Sequence, residues 1–184
     1  VEKQRTLRRE RREKNAAPLV ALVGYTNAGK STFLNAVSNA GVLAEDKLFA
    51  TLDPVVRRIT LPNGLDILIS DTVGFINKLP HDLIEAFKST LEEVSDADLI
   101  LHVVDISSGH YEAQMRVAED VIASLGAADT PRINVYNKID RIDSRPRGRE
   151  NDAFVSALTG EGMDALLERI EKLLSAAHST IELT

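Results

Sequence analysis

Gly24, Gly29, Lys30 and Ser31 stand at the spacing G-x-x-x-x-G-K-S, which is typical of a loop that binds phosphate. The amides of such a loop point at phosphate oxygens, and Gly29 lets the backbone pass close to them. Lys30 can reach the β- and γ-phosphates as a point charge, and the Ser31 hydroxyl can ligate Mg²⁺. We predict nucleotide contacts from Gly24, Tyr25, Thr26, Asn27, Ala28, Gly29, Lys30, Ser31 and Thr32.

A second group of candidates is Asp71-Thr72-Val73-Gly74, which follows an apolar segment at the place where a parallel strand would end. The Asp71 carboxylate can hold Mg²⁺, mainly through water, and Gly74 lets an amide approach the γ-phosphate. Thr51 can complete the Mg²⁺ shell when γ-phosphate is present. We predict catalytic roles for Lys30, Thr51 and Gly74, Mg²⁺ ligation by Ser31, Thr51 and Asp71, and nucleotide contacts from Phe49, Ala50, Thr51, Asp71, Thr72, Val73 and Gly74.

Asn137-Lys138-Ile139-Asp140 is a third group and also follows an apolar strand. The Asp140 carboxylate can accept two hydrogens from the N1–H and N2 amino groups of guanine. Adenine lacks that pair of donors, so a site built in this way discriminates strongly against it. The Lys138 stem can cover the base, and the backbone amides of Ser156, Ala157 and Leu158 can contact guanine O6. The predicted ligands are therefore GTP and GDP with Mg²⁺.

The elements that position these groups alternate between strand and helix along the chain. Alternation of this kind predicts an α/β fold of three layers with a mostly parallel, six-stranded sheet. An Asn-Gly pair between two strands predicts a hairpin, and hence one antiparallel edge strand. The predicted strands are 19–24, 55–61, 65–71, 98–105, 132–136 and 153–156, and the predicted helices are 30–39, 80–94, 112–125 and 163–177.

Composition narrows the class of protein further. The chain has 184 residues, 43% of them apolar, and no cysteine, which fits one domain in the cytoplasm. We expect no membrane span. The net charge is −6, yet residues 1–17 carry seven Lys or Arg against three Asp or Glu. This basic arm is either a contact for nucleic acid or the solvated end of a helix.

With these motifs in order, the chain resembles P-loop GTPases of the translation-factor-like branch, and within it the HflX family of ribosome-associated GTPases. The resemblance rests on the three groups above together with the stretches Leu48-Phe49-Ala50-Thr51-Leu52-Asp53-Pro54, Phe75-Ile76, Leu79-Pro80-His81 and Glu85-Ala86-Phe87. It implies a GTPase domain over residues 18–178, a linker tail over 1–17 that belongs to an upstream domain, and a C-terminal tail over 179–184.

The resemblance also implies a monomeric GTPase that hydrolyses GTP slowly until the large ribosomal subunit and its rRNA stimulate it. Phe75 follows Gly74, where many GTPases have a glutamine that orients water. A nucleotide-gated binding module with incidental hydrolysis is therefore the alternative. Asn27 stands where related GTPases ligate K⁺, although it can instead brace the phosphate loop.

Overall fold

A computed structural model describes residues 17–38, 55–72, 92 and 94–179. These residues form six strands, three α-helices and a further helical stretch that includes residues 92 and 94–96. The strands are β1 (Leu19–Gly24), β2 (Val55–Thr60), β3 (Asp66–Asp71), β4 (Leu99–Asp105), β5 (Arg132–Asn137) and β6 (Asp152–Phe154). The helices are α1 (Lys30–Ser38), α2 (Tyr111–Ser124) and α3 (Met163–Ser179), and a short 3₁₀ helix spans Ile139–Arg141.

The six strands form one sheet in the order β2-β3-β1-β4-β5-β6. All neighbouring strands run parallel except β2, which pairs antiparallel with β3 and forms an edge. The turn between β2 and β3 closes through Gly64 N–H donating to Leu61 O, and the Asn63 side chain accepts from Leu65 N–H. The predicted α/β class, the mostly parallel sheet and the antiparallel edge strand are confirmed.

Apolar side chains cover both faces of the sheet, which makes three layers. On one face, Phe33 and Leu34 of α1 and Ile170 of α3 join a core with alternate residues of the central strands. On the other face, Ala118 and Ile122 of α2 pack with the intervening strand residues. This double coverage explains why the parallel strands β1 and β4 are apolar at almost every position instead of alternating.

The observed ends of some strands differ from the predicted ends by a few residues, because pairing with the neighbouring strand continues further or stops earlier than predicted. Asn137 is the last residue of β5, because it pairs in register with Asp105. The strand β6 starts at Asp152 and ends before Ser156, whose N–H turns away to donate to Glu161 O. Most of the predicted helix 80–94 lies outside the described residues, as do residues 1–16 and 180–184 of the predicted terminal segments.

Among the residues that the structure describes, no helix is long and apolar enough to cross a membrane. The predicted division into a linker tail, a GTPase domain and a C-terminal tail stays a prediction.

His102 of β4 is buried in the sheet at 1% exposure, and Nδ1 has no hydrogen-bond partner within the described residues. Burial lowers the pKa of His102 to about 4, from 6.5, and the nearby Arg132 charge adds to this effect. Below pH 6.5, His102 therefore binds a proton in the unfolded chain but not in the folded chain. The free energy of unfolding consequently falls as the pH drops from 6.5 towards 4.

We expect acidification from about pH 7 to about pH 5 to cost about 2 kcal/mol of unfolding free energy through His102 alone. Urea titrations of the native chain and of His102→Leu measure this, since the variant should lose that part of the pH dependence. His110→Leu, at an exposed histidine, is the matched control and should keep the native dependence. Equal pH dependence in the native chain and His102→Leu would contradict the assignment.

Candidate nucleotide-binding site

The predicted phosphate loop connects the end of β1 to the start of α1, and two glycines in it have no room for a side chain. A Cβ on Gly24 would lie 2.3 Å from the carbonyl oxygen of Val103 on β4. Gly29 has a φ of +94°, and a Cβ there would lie 2.4 Å from Asn137 Nδ2. The G-x-x-x-x-G spacing is thus required by the close approach of β4 and β5 to the loop.

The third motif holds this loop from β5. Asn137 is buried, and its Nδ2 donates to Ala28 O at 3.1 Å while its Oδ1 accepts from Ala157 N–H at 3.0 Å. Lys138 Nζ donates to Asn27 O at 2.8 Å. The Asn137 side chain therefore connects the predicted phosphate loop with Ala157, whose N–H was predicted to contact guanine O6 and is here bonded to Asn137.

Lys30, Ser31 and Asp71 come together at the first turn of α1. Ser31 Oγ donates to Asp71 Oδ2 at 3.2 Å, and Lys30 is buried at 8% exposure. Burial lowers the pKa of Lys30, and the Asp71 charge opposes part of that shift. A buried ammonium of this kind gains from an anion beside it, which suits a phosphate ligand. Thr72 is buried beside this group and donates to Leu22 O at 2.6 Å.

The hydroxyl of Ser31 and the carboxylate of Asp71 are the hard oxygen donors that Mg²⁺ prefers, so these residues fit the predicted ion. The described residues contain no group of three or more His, Cys, Asp or Glu that could hold a metal. Mg²⁺ bound here would therefore take its remaining ligands from nucleotide and water, as is usual for this ion.

Lys138 is positioned by a residue that the sequence alone did not reveal. It has a left-handed φ of 67°, and Nζ forms an ion pair with Asp105 Oδ2 at 2.7 Å. Burial opposes ionisation of Asp105, but hydrogen bonds from Lys138 and Ser107 outweigh it, so the pKa of Asp105 is lowered. In the sequence, Asp105 is recognisable only as an aspartate at the end of a predicted central strand. The structure pairs it in register with Asn137.

Asp140, the predicted base-recognition residue, is held by the Ser156 hydroxyl. Ser156 Oγ donates to Asp140 Oδ1 at 2.7 Å and accepts from Thr159 N–H at 3.1 Å. Asp140 is exposed, and Leu158 is 75% exposed, so this end of the site is open to solvent. The Ser156 N–H, which was predicted to contact guanine O6, donates instead to Glu161 O at 2.9 Å. The structure gives Ser156 a different role, because its side chain orients Asp140.

The structure thus brings together the predicted site residues that lie at the carboxyl ends of β1, β3 and β5. Five predicted contacts lie outside the described residues, namely Phe49, Ala50, Thr51, Val73 and Gly74, and Phe75 does too. The remaining predicted residues converge on one edge of the sheet, and they are Gly24, Tyr25, Thr26, Asn27, Ala28, Gly29, Lys30, Ser31, Thr32, Asp71, Thr72, Asn137, Lys138, Asp140, Ser156, Ala157 and Leu158.

A family model described as "50S ribosome-binding GTPase" matches residues 19–138, from the start of β1 into the Asn137-Lys138 motif. The chain belongs to this family. The matched region holds all of β1 to β5, so it contains the phosphate loop and the side chains that brace it.

Relatives of known name are similar to this chain over nearly its whole length. The chain is 58% identical over 174 residues to GTPase HflX of Caldanaerobacter subterraneus subsp. tengcongensis, covering 95% of this chain and 41% of that protein. It is 43% identical over 192 residues to GTPase HflX of Escherichia coli, covering 100% of this chain and 45% of that protein. The resemblance to the HflX family is confirmed, and the chain spans less than half the length of these relatives.

Solved structures agree on the fold. Era of Aquifex aeolicus bound to GDP·AlF4⁻ is 27% identical with a TM-score of 0.71, covering 85% of this chain and 56% of that one. A GTP-binding protein of Sulfolobus solfataricus in complex with GDP is 23% identical with a TM-score of 0.72, covering 94% of this chain and 57% of that one. The fold is therefore that of a P-loop GTPase domain.

We expect Gly29→Ala to destabilise the domain and to weaken GDP binding, because the new Cβ would push Asn137 off Ala28 O. Gly64→Ala is the matched control, since Gly64 has a similar φ of +87° but nothing within 4 Å of the new Cβ. Both variants bear the backbone strain of about 1–3 kcal/mol. Urea unfolding and calorimetric titration with GDP should show a larger loss for Gly29→Ala, and equal losses would contradict the proposed contact.

Proposed function

We propose that this chain binds GTP and GDP with Mg²⁺ and hydrolyses GTP as a switch that acts on the large ribosomal subunit. The observation that supports it most is the buried Asn137 side chain, which joins the phosphate loop at Ala28 to the guanine-side loop at Ala157. A ligand that spans both loops would contact two segments whose relative position this side chain holds. The family match and the HflX relatives support the same function.

In the proposed complex, the phosphates lie against the amides of the loop between Gly24 and Lys30. The positive end of α1 faces the same anion. Lys30 supplies the buried charge that stabilises the β- and γ-phosphates, and it does so more strongly in the transition state as charge shifts onto the leaving oxygens. Ser31 and Asp71 would hold Mg²⁺, which offsets phosphate charge when bound.

Base recognition is assigned to Asp140 and Lys138. Ser156 Oγ holds one oxygen of the Asp140 carboxylate, so the side chain is oriented before the nucleotide arrives. The Lys138 stem is fixed by Asp105 and Asn27 O, which directs it across the site. Preorganisation of both groups lowers the entropy lost on binding.

The hydrolytic step is assigned to Lys30, Thr51 and Gly74, with Thr51 as a further Mg²⁺ ligand in the GTP state. Phe75 can neither orient nor deprotonate water, so we propose slow hydrolysis until a ribosomal partner rearranges this segment. Phe49, Ala50 and Val73 complete the proposed nucleotide contacts. We also propose a monomer in the cytoplasm, in keeping with a ribosome-associated role.

A bound K⁺ is a proposed helper for this step, with Asn27 as a ligand. Asn27 has a left-handed φ of 65°, and its backbone oxygen is taken by Lys138 Nζ. Its side chain is exposed, so its oxygen is open to a cation, and bracing of the phosphate loop is the alternative role. A cation there would offset charge developing between the α- and γ-phosphates.

The base assignment predicts a change of nucleotide preference. Asp140→Asn replaces an acceptor with a donor, so affinity for GDP should fall by about a hundredfold or more while affinity for xanthosine diphosphate rises. Calorimetric titrations with GDP, ADP and xanthosine diphosphate measure both effects. Asp143→Asn, at an exposed aspartate nearby, should leave the preference unchanged. Equal affinity of the native chain for ADP and GDP would overturn the assignment.

Phe75 also favours a second function, a nucleotide-gated binding module, and hydrolysis rates separate the two. Single-turnover hydrolysis of GTP should be slow for the protein alone and faster by at least tenfold or so with purified large subunits. Small subunits at the same concentration are the control. Binding to large subunits that depends on GTP but leaves the rate unchanged would favour the binding module, and absence of both would contradict the ribosomal role.

A further inference from the structure

The loop between β6 and α3, residues 155–162, folds back on itself beside the proposed guanine site. Ser156 N–H donates to Glu161 O at 2.9 Å, and Gly160 N–H donates to Ser156 O at 2.8 Å. Thr159 adds two bonds, because its N–H donates to Ser156 Oγ and its hydroxyl accepts from Glu161 N–H. The positions of Ser156 and Glu161 are therefore fixed relative to each other.

Gly162 brings this loop close to the end of β6. Its φ of +77° lies in the left-handed region, and a Cβ there would lie 2.2 Å from Phe154 O, so only glycine permits this approach. Glu161 directly precedes this contact in the chain, and its backbone is thereby held next to the strand.

The side chain of Glu161 pairs with Arg145, which lies in the irregular chain between the 3₁₀ helix and β6. From residue 143 to residue 148, this ion pair is the one bond recorded to another segment of the described chain. The Arg145–Glu161 pair therefore ties the chain that follows Asp140 to the loop that contains Ser156.

Together these contacts close a ring that includes the Asp140 carboxylate. Ser156 Oγ donates to Asp140 Oδ1 at 2.7 Å. The backbone of Ser156 is bonded to Glu161, and the side chain of Glu161 pairs with Arg145. The chain from Asp140 to Arg145 completes the ring. Loss of the ion pair would open the ring at one link and leave the hydrogen bond from Ser156 as the remaining support of Asp140 in it.

We propose that Arg145 and Glu161 are positioning residues for guanine recognition, which hold the Asp140 carboxylate towards the base edge and so slow the release of guanine nucleotide. This inference rests on the proposed function, in which Asp140 reads the base. Asp140 and Leu158 are exposed, so the base leaves on this open side of the site. A carboxylate that is held in place re-forms its hydrogen bonds before the base escapes, whereas a mobile one does so less often.

The exposure of the pair sets the size of the effect. The side chains of Arg145 and Glu161 are 49% and 53% exposed, and exposed ion pairs contribute little and are screened by salt. Loss of the pair should therefore accelerate release by about two- to fivefold. Asp140→Asn, which removes the base contact itself, has the much larger effect given above.

Release of a fluorescent GDP analogue, chased with excess GDP in the presence of Mg²⁺, measures the rate. Arg145→Ala and Glu161→Ala should each accelerate release about two- to fivefold. The double variant should be no faster than either single variant, because both remove the same interaction. Arg58→Ala is the matched control, since it breaks the exposed pair of Arg58 with Asp66 in the β2–β3 hairpin and should leave the rate unchanged.

Reversal of the charges tests the pair itself. Arg145→Glu alone places two carboxylates together and should release GDP fastest. The exchanged pair, Arg145→Glu/Glu161→Arg, restores opposite charges and should return the rate towards the native value. Raising NaCl from about 0.05 M to about 0.5 M should accelerate release from the native chain more than from Arg145→Ala, because salt screens the pair.

Base selectivity separates positioning of Asp140 from a merely structural role of the pair. Inosine diphosphate keeps the N1–H of guanine but lacks the N2 amino group. The preference for GDP over inosine diphosphate therefore measures how well the Asp140 carboxylate is aligned with both donors. Arg145→Ala should lower that preference about twofold or more, whereas its midpoint of urea unfolding should match that of Arg58→Ala.

Three results would overturn the proposal. These are native release rates in Arg145→Ala, an exchanged pair that releases GDP as fast as Arg145→Glu, and a preference for GDP over inosine diphosphate that Arg145→Ala shares with the native chain. If the native chain bound no guanine nucleotide, the proposed function would fail and this inference with it. Tight binding of GDP with release rates that the variants leave unchanged would contradict the positioning role alone.

Discussion

The site depends on one buried amide, the side chain of Asn137, which is bonded at both ends. Its donor is taken by Ala28 O and its acceptor by Ala157 N–H, at 2% exposure. A buried polar group satisfied in this way specifies one arrangement of its partners, because any other leaves a donor or an acceptor without a partner. The proposed phosphate side and the proposed base side of the site are thereby fixed relative to each other, although they are contributed by segments more than 100 residues apart.

The register of the sheet makes that amide possible. Leu22 is opposite Asp71, Gly24 is opposite Val103, and Asp105 is opposite Asn137. Parallel strands place their carboxyl ends at one edge, so the polar residue that ends each strand meets the others there. The same spacing leaves no room for a Cβ on Gly24 or Gly29. The register of the sheet thus explains both why the loop packs closely on the strands and why glycine stands at positions 24 and 29.

Local patterns in the sequence predicted the strands, the hairpin and the polar residues that meet at one edge of the sheet, because each depends on short spacing and on chemistry that few residue types can supply. They did not predict Asp105 as the partner of Lys138, or the hydroxyl of Ser156 as the support of Asp140, since both depend on neighbours brought close by pairing of β4, β5 and β6. Residues 141–151 were predicted to be a loop, but the sequence did not predict that this loop borders the same cavity as the aromatic rings at positions 111, 136 and 154.

The two lysines of the site show how binding and folding are coupled. Lys138 has its charge balanced within the protein by Asp105, so its position does not depend on a ligand. Lys30 is buried more deeply, and the Asp71 charge compensates its desolvation only in part. The folded state without an anion therefore retains a cost that a bound phosphate removes. Nucleotide at a hundred times its Kd would stabilise the fold by about 2.7 kcal/mol through mass action. Because Lys30 gives up hydration in the folded state, the same charge that is proposed to bind phosphate also makes the empty domain less stable.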